Sequence, residues 1–269
     1  LSNSDFPYAT PRAISGVDEC SFYHTMEIPG IGTVEGLWDL RGAEELFLGR
    51  VDLAGKRVLE IGPASGALSF FMEQKGAEVV ALDLDEHQDW DVVPYAGVDY
   101  QGWQRERRSR LTSLNNGFWL AHRAHDSRTR VLYGSVYAIP PEVGRFDIAL
   151  LSCVLLHLRD PFLALQKTAA LVDDTVIITE TFYPHFMLNF FSEAAMRIGI
   201  HLPVSAFIPR TQRPEMGTWW GLTPEVIRRF LEVLGFSDQR TIYHYRARHQ
   251  GRRQLMYTIV GRRTTQAET

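Results

Sequence analysis

Cysteine is nearly absent. Only Cys20 and Cys153 occur in the 269 residues, and Cys153 lies inside the apolar run Ile148–Leu156, so neither a disulfide framework nor a cysteine-built zinc site is expected. No window approaches the ~18 uninterrupted apolar residues of a membrane-spanning helix, and the opening Leu1-Ser2-Asn3-Ser4-Asp5 carries no basic stretch followed by an apolar one. These absences point to a soluble, cytoplasmic chain with no membrane partner. An excess of positive charge is also missing: the formal net charge is −4 and the pI about 6.2, so no global field draws the protein to nucleic acid. Neither an H-E-x-x-H helix nor an EF-hand loop is present, and no metal is expected. No internal repeat or low-complexity tract appears. With 45% hydrophobic residues the chain is long enough to bury one substantial α/β core.

The richest segment is Val58-Leu59-Glu60-Ile61-Gly62-Pro63-Ala64-Ser65-Gly66. Val58–Ile61 reads as a short buried strand, Gly62–Gly66 as a tight turn, and Ala67–Lys75 as a helix with an apolar Leu68/Phe70/Phe71/Met72 face. Strand, glycine turn and helix make half of a nucleotide-binding βαβ unit. The glycines let a ligand approach the main chain, and the helix N-terminus offers free N–H groups. Val79–Leu82 forms the next strand and places Asp83 at its carboxyl end, where a carboxylate can accept both hydroxyls of a ribose. The dinucleotide spacing G-x-G-x-x-G is absent, which disfavours a nicotinamide oxidoreductase. A nucleoside cofactor is expected.

Further strands are expected at Val131–Tyr133, Phe146–Leu151 and Thr175–Thr179, with a helix from Pro161 to Leu171. Asn115 is read as the cap of a helix running to His125. Thr223 is read as a cap before Pro224, with Gly235 past the helix end. Strands alternating with helices argue for a doubly wound, mostly parallel sheet. Two stretches interrupt the alternation and read as insertions, at about 85–113 and 182–217. Segments 236–245 and 254–260 read as two apolar-rich stretches joined by residues 246–253. Residues 51–269 read as one catalytic domain carrying these insertions, preceded by residues 1–50.

The Glu60-x-Gly62-x-x-x-Gly66 turn with Asp83 resembles motif I of the class I S-adenosylmethionine-dependent methyltransferases. Gly134-Ser135-Val136, Phe146-Asp147 and Leu155-Leu156-His157-Leu158-Arg159-Asp160-Pro161 match the family in order. Within it, His157–Pro161, Leu222-Thr223-Pro224 and Trp38-Asp39-Leu40-Arg41 are similar to the branch that modifies wobble uridine in transfer RNA. The resemblance implies a seven-stranded sheet of order 3-2-1-4-5-7-6 closed by an antiparallel hairpin of segments 236–245 and 254–260, residues 1–50 as an N-terminal cover over the cofactor site of a 51–269 methyltransferase domain, S-adenosyl-L-methionine as cofactor and S-adenosyl-L-homocysteine as product. It places cofactor contacts at Glu60, Gly62, Ala64, Gly66, Asp83, Leu84, Ser135, Val136 and Ser152. Glu60 organises the loop and the methionine ammonium, and Asp83 holds the ribose. Ser135 departs from the family, which carries an acid near the adenine amino group; a serine still accepts one hydrogen bond there.

Methyl transfer to a hydroxyl or ammonium needs a place for the proton, and a histidine is the usual one. His157 follows the fourth strand at the ligand-binding edge of the sheet, and is either the base or a helix-start histidine bonded to backbone. Glu180 after the fifth strand is either a base or a cap on the next segment. Tyr183 and His185 read as lid packing. Tyr23, His24, Trp38, Arg41, Tyr183, Trp219 and Trp220 are the substrate candidates: Arg41 for a carboxylate, and the adjacent tryptophans with one facing core and one the pocket. The arginines at 105, 107, 108 and 110 and those at 246, 248, 252, 253, 262 and 263 read as solvated surface in preference to a phosphate stripe. The expected reaction is metal-independent O-methylation of a sugar or secondary metabolite, a small-molecule or glycan acceptor. The alternatives are N-methylation of a small molecule and a transfer-RNA-modifying transferase using a carboxylated cofactor.

Overall fold

The computed structural model describes residues 8–182, 202–210, 216–245 and 247–265. Tyr183, His185 and most of the second insertion lie outside them. In chain order the N-terminal part forms β1 (His24–Ile28), β2 (Gly32–Val34), β3 (Trp38–Asp39) and α1 (Glu44–Phe47). The alternating core follows as β4 (Arg57–Ile61), α2 (Ala67–Gln74), β5 (Glu78–Asp83), α3 (Tyr100–Ala124), β6 (Arg130–Tyr133), β7 (Phe146–Ser152), α4 (Pro161–Ala169) and β8 (Val172–Thr181). The chain then runs through β9 (Ser205–Phe207), β10 (Trp220–Leu222), a helix we number α5 (Pro224–Val233), β11 (Asp238–His244), β12 (Arg248–His249), β13 (Arg252–Arg253) and β14 (Met256–Arg262).

The central sheet has the order β6-β5-β4-β7-β8-β14-β11, which is the expected 3-2-1-4-5-7-6. Only β14 runs against its neighbours, pairing antiparallel with both β8 and β11. Its parallel strands are buried on both faces, so they read as near-continuous apolar runs. Alternate residues feed opposite layers: Leu59, Ala149, Leu151 and Ile178 pack with α4 and α5, while Val58, Ile148, Leu150 and Ile177 pack with α1 and α2. A third cluster joins Phe70 of α2 and Phe118–Ala121 of α3 to Met26 and Ile28 of β1.

Three expectations are corrected. The helix read as starting at Asn115 begins at Tyr100, capped by Asp99, whose carboxylate accepts the Gly102 N–H at 2.9 Å. Asn115 is instead buried within α3, its side-chain amide donating to the Leu84 carbonyl at 3.2 Å. Half of the first insertion is thus helical, hidden from pattern reading because its early turns are polar and exposed. Thr223 occupies the N-cap position of α5, but its hydroxyl donates to the Leu202 carbonyl at 2.7 Å and accepts the Val204 N–H at 3.0 Å instead of capping. Residues 247–253 are more than a link: β12 pairs with β3, joining Arg248 to Asp39 and His249 to Trp38, and completes a five-stranded sheet β13-β12-β3-β1-β2. The tail is therefore stitched to the N-terminal strands. Among the described residues no helix is long and apolar enough to cross a membrane.

Candidate active site

The glycine turn after β4 is shaped by backbone demands that only small residues meet. Gly62 has φ +72°, and a Cβ there would lie 2.8 Å from Cγ2 of Val154. Gly66, at the N-terminus of α2, has φ +86°, and a Cβ would meet the Phe70 ring at 2.6 Å. Ala64 takes φ +53° without being glycine, and it is held there because its N–H donates to Asp83 Oδ2 at 3.1 Å. The Leu84 N–H donates to the other oxygen, Oδ1, at 2.8 Å. Asp83 is thereby fixed at the carboxyl end of β5, deep among protein atoms yet half-buried with some contact to solvent, as a residue lining a recess would be. Burial pushes its carboxyl up to about 6 against the pull of the two N–H groups and of the Arg107 charge. Glu60 is 2% exposed and accepts the Ser69 hydroxyl. Burial pushes it up to about 7, and the nearby Asp83 charge adds to this.

Ser65, which sequence reading passed over, is fully buried in the same turn and accepts the His24 N–H at 3.0 Å. This bond docks β1 onto the turn. Beyond β6, Ser135 is exposed and its hydroxyl accepts the Tyr137 N–H at 3.3 Å, while Val136 is buried. Ser152 ends β7, half-buried.

The chain then bends at Cys153, with φ +54°, into a short turn, Leu155–His157. Glu180, 2% exposed on neighbouring β8, accepts the Leu155 N–H at 2.9 Å and also the amides of Val154 and Leu156; burial pushes its carboxyl up to about 8. His157 Nδ1 is hydrogen-bonded to the Gly217 carbonyl. A carbonyl only accepts, which assigns the proton to Nδ1 and leaves the lone pair on Nε2. Burial, with a contribution from the Arg107 charge, lowers the imidazole to about 4, so the ring is neutral near pH 7.

The substrate candidates separate. Tyr23 and His24 are packed edge to face, 5.1 Å apart; burial raises the Tyr23 phenol to about 12 and lowers His24 to about 4. Trp38 stacks on His249 at 4.6 Å and hydrogen-bonds the Tyr23 side chain, so it supports Tyr23 from behind. Arg41 is not brought to the recess: it stands exposed on the N-terminal sheet, paired with Asp39 at 2.9 Å and Glu27 at 3.2 Å. The chain supplies the carboxylates it was read as awaiting. Trp219 is 4% exposed and donates its indole N–H to the Asp91 carbonyl at 2.8 Å. Trp220 donates to the Arg159 carbonyl at 3.2 Å and packs on the α4–α5 core.

Three residues not singled out individually stand around His157 and Trp219. Trp90 lies edge-on to His157 with centroids 6.0 Å apart, Tyr95 lies 6.0 Å from Trp219, and the Arg107 guanidinium covers the Trp90 ring at 3.4 Å. Several of these arginines are taken up within the chain: Arg108 pairs with Asp89 at 3.0 Å, Arg110 with Glu106, and Arg263 bonds the carbonyls of Ala169 and Val172. Among the described residues no three His, Cys, Asp or Glu side chains gather as a metal site requires.

A glycine turn flanked by Glu60 and Asp83 lies at the carboxyl edge of a sheet ordered 3-2-1-4-5-7-6, the edge at which open α/β sheets bind ligands. The model of the methyltransferase domain family matches residues 41–249. The chain belongs to the methyltransferase domain family. Its central sheet is the class I form, that of the S-adenosylmethionine-dependent enzymes. Among solved structures, this methyltransferase is similar to the N-terminal domain of EvdMO1 with S-adenosylhomocysteine bound, at 17% identity and TM-score 0.55 over 92% of this chain and 93% of that one. The same domain in the presence of S-adenosylhomocysteine and D-fucose aligns at 18% identity and TM-score 0.54, with the same coverage. It is also similar to the 1,6-didemethyltoxoflavin-N1-methyltransferase of Burkholderia thailandensis, at 17% identity and TM-score 0.52 over 84% of this chain and 78% of that one. At these identities the likeness is one of fold. Comparison by sequence with curated proteins returns no match.

Proposed function

We propose that this methyltransferase transfers the methyl group of S-adenosylmethionine to a hydroxyl of a small polar acceptor, a sugar or secondary metabolite, without a metal. The observation that carries the reading is His157: it stands past the end of β7, its Nδ1 is tied to the Gly217 carbonyl, and its Nε2 is left as the proton acceptor. In this reading Asp83 accepts the ribose hydroxyls, Glu60 answers the methionine ammonium, and the backbone of Gly62, Ala64 and Gly66 lies against the cofactor. Leu84, Ser135, Val136 and Ser152 border the nucleoside. Residues up to 50 form the cover, docked through His24 on Ser65.

The cofactor supplies an electrophilic methyl on a sulfonium. The protein's task is to hold the acceptor oxygen in line at near-attack distance and to exclude water. As the oxygen–carbon bond forms, the attacking hydroxyl becomes a protonated ether, far more acidic than the free alcohol. A base lowered to about 4 therefore suffices, and Nε2 of His157 takes that proton. Glu180 touches the backbone amides of the turn that bears His157, and we assign it the positioning of that turn, not proton transfer.

The D-fucose in the EvdMO1 structure supports a sugar acceptor, and the toxoflavin N1-methyltransferase keeps nitrogen as the second reading. The test is transfer of label from methyl-labelled S-adenosylmethionine into a fractionated cell extract, with Asp83→Ala as the blank. Label in the small-molecule or glycan fraction, stable to conditions that cleave esters, is expected. Label confined to RNA would refute the small-acceptor reading.

A further inference from the structure

The four arginines of the α3 cluster do not share one environment. Arg105, Arg108 and Arg110 are exposed, and the last two are paired with acids of their own neighbourhood. Arg107 sits one turn before buried Leu111 and two before buried Asn115, on the inward face of α3. Its guanidinium carbon lies 3.4 Å from the centre of the Trp90 ring, and its Nε is buried with no hydrogen-bond partner. No ion pair satisfies it among the described residues. The carboxylate whose charge acts on it, Asp83, already accepts the N–H groups of Ala64 and Leu84. Two further buried polar atoms in the same recess lack partners, Trp90 Nε1 and Tyr95 Oη. Unpartnered buried donors are rare in folded proteins and mark places where something else completes them.

We propose that Arg107 is the residue that recognises the acceptor, and that the acceptor is a planar compound carrying a carboxylate. The guanidinium presents a flat fork that a carboxylate matches in two parallel hydrogen bonds. One cation, with Asp83 already acting on it, suits a monoanion better than a phosphate dianion. The Trp90 indole lies against it, and the rings of Trp90, Tyr95 and Trp219 around His157 offer surfaces suited to a flat carbon skeleton. Because Trp90 also packs edge-on to His157, an acceptor anchored on Arg107 lies next to the proposed base. The inference rests on the methyltransferase reading above and narrows its acceptor to a planar secondary metabolite carrying a carboxylate, in place of a sugar.

The test uses the full chain, with benzoate and its neutral isostere benzamide as probes and S-adenosylhomocysteine as the cofactor-site ligand. The wild type, Arg107→Gln, Arg107→Lys and the exposed control Arg108→Gln are compared, each first checked for cooperative unfolding. Benzoate is expected to bind wild type at least tenfold more tightly than benzamide, with and without S-adenosylhomocysteine. Arg107→Gln should abolish that preference while S-adenosylhomocysteine affinity stays within twofold. Arg107→Lys, which keeps charge but not the fork, should retain part of the preference, and this variant decides the matter if the glutamine variant does not fold. Arg108→Gln should match wild type. A wild type without preference for benzoate, an Arg107→Gln protein that keeps the preference, or an Arg107→Lys protein that keeps it undiminished would overturn the proposal. If instead Arg107→Gln weakens S-adenosylhomocysteine tenfold and leaves the benzoate preference intact, the carboxylate held is the cofactor's own and the acceptor assignment falls. Failure of S-adenosylhomocysteine to bind wild type would sink the cofactor reading separately, since the benzoate comparison is also made without it.

Discussion

Replacing Asp83 by asparagine separates two jobs that one carboxylate does. Its oxygens accept the Ala64 N–H at 3.1 Å and the Leu84 N–H at 2.8 Å, which holds the glycine turn in place, and their remaining lone pairs face the ribose hydroxyls in the proposed complex. Asparagine offers one oxygen and one NH2, so one of the two backbone donors is left facing another donor. An unsatisfied buried donor costs about 1–3 kcal/mol, and that is the expected loss of stability in the free protein. On the ligand side, two charge-assisted hydrogen bonds at roughly 1.5–2 kcal/mol each amount to about 3–4 kcal/mol, or roughly 10²–10³ in affinity. Ligand at about 100 times the wild-type Kd stabilises the folded state by about 2.7 kcal/mol. In a domain of this size that raises the melting temperature by roughly 5–10 °C. At the same concentration the variant, with its Kd raised at least ~100-fold, gains at most about 0.4 kcal/mol, or roughly 1–2 °C. Differential scanning fluorimetry with and without S-adenosylhomocysteine reads both quantities, and calorimetric titration well below the melting temperature checks the affinity. An Asp83→Asn protein that melts earlier but keeps the wild-type ligand shift would refute the ribose assignment and leave Asp83 as a tie for the turn alone.

Burial pushes Glu60 up to about 7 and Asp83 up to about 6, and only their charged forms answer an ammonium and a ribose diol strongly. Protonation discharges them as pH falls, so calorimetric affinity for S-adenosylhomocysteine should be level above about pH 7 and weaken through about 7 and again through about 6, with the lower step missing in Asp83→Asn. Affinity unchanged down to about pH 5 would contradict this. His157→Gln should lower turnover by ~10²–10⁴ with S-adenosylhomocysteine affinity intact, measured by label transfer and calorimetry; wild-type turnover would remove the assigned base. Gly66→Ala forces a Cβ into a residue at φ +86°, 2.6 Å from the Phe70 ring and 2.9 Å from Phe118. Left-handed strain of about 1–2 kcal/mol and overpacking of about 1–3 kcal/mol predict a loss of roughly 2–5 kcal/mol in urea unfolding, and a loss below about 1 kcal/mol would show that the rings yield freely.

Features set by neighbours in the chain were legible. The run Val58–Gly66 with Asp83 and the doubly wound, mostly parallel character of the sheet follow from local apolar runs, turn residues and the rule that parallel strands are buried on both faces, while the strand order and the closing hairpin follow from the family resemblance. What escaped depends on pairings between distant residues. The first turns of α3 carry no apolar stripe, so Tyr100–Ser113 looked like loop, and the inward turn of Arg107 could not be seen without extending the spacing Arg107, Leu111, Asn115, Phe118 back into a polar segment. Residues 248–249 are too short and basic to read as a strand, and become one only because β3 offers an edge. Thr223 was a good cap by type, yet its hydroxyl found Leu202 and Val204 instead. Arg41 was sought by a ligand carboxylate in the sequence reading and found Asp39 two residues away.

The position of His157 shows why such sites resist reading from sequence even when the residue itself stands out. On β8, side chains alternate between the two faces of the sheet. Thr179 turns toward α1, its hydroxyl donating to the Phe47 carbonyl at 2.8 Å, and Glu180 turns the other way, under the turn that follows β7. A slip of one residue in the β7–β8 register would exchange them and leave the amides of Val154–Leu156 without an acceptor. The ring is then fixed from its other side by the Gly217 carbonyl, 60 residues away. The tautomer that exposes Nε2 thus depends on a sheet register and on a distant backbone carbonyl, neither of which appears in the spacing His157-Leu158-Arg159-Asp160-Pro161.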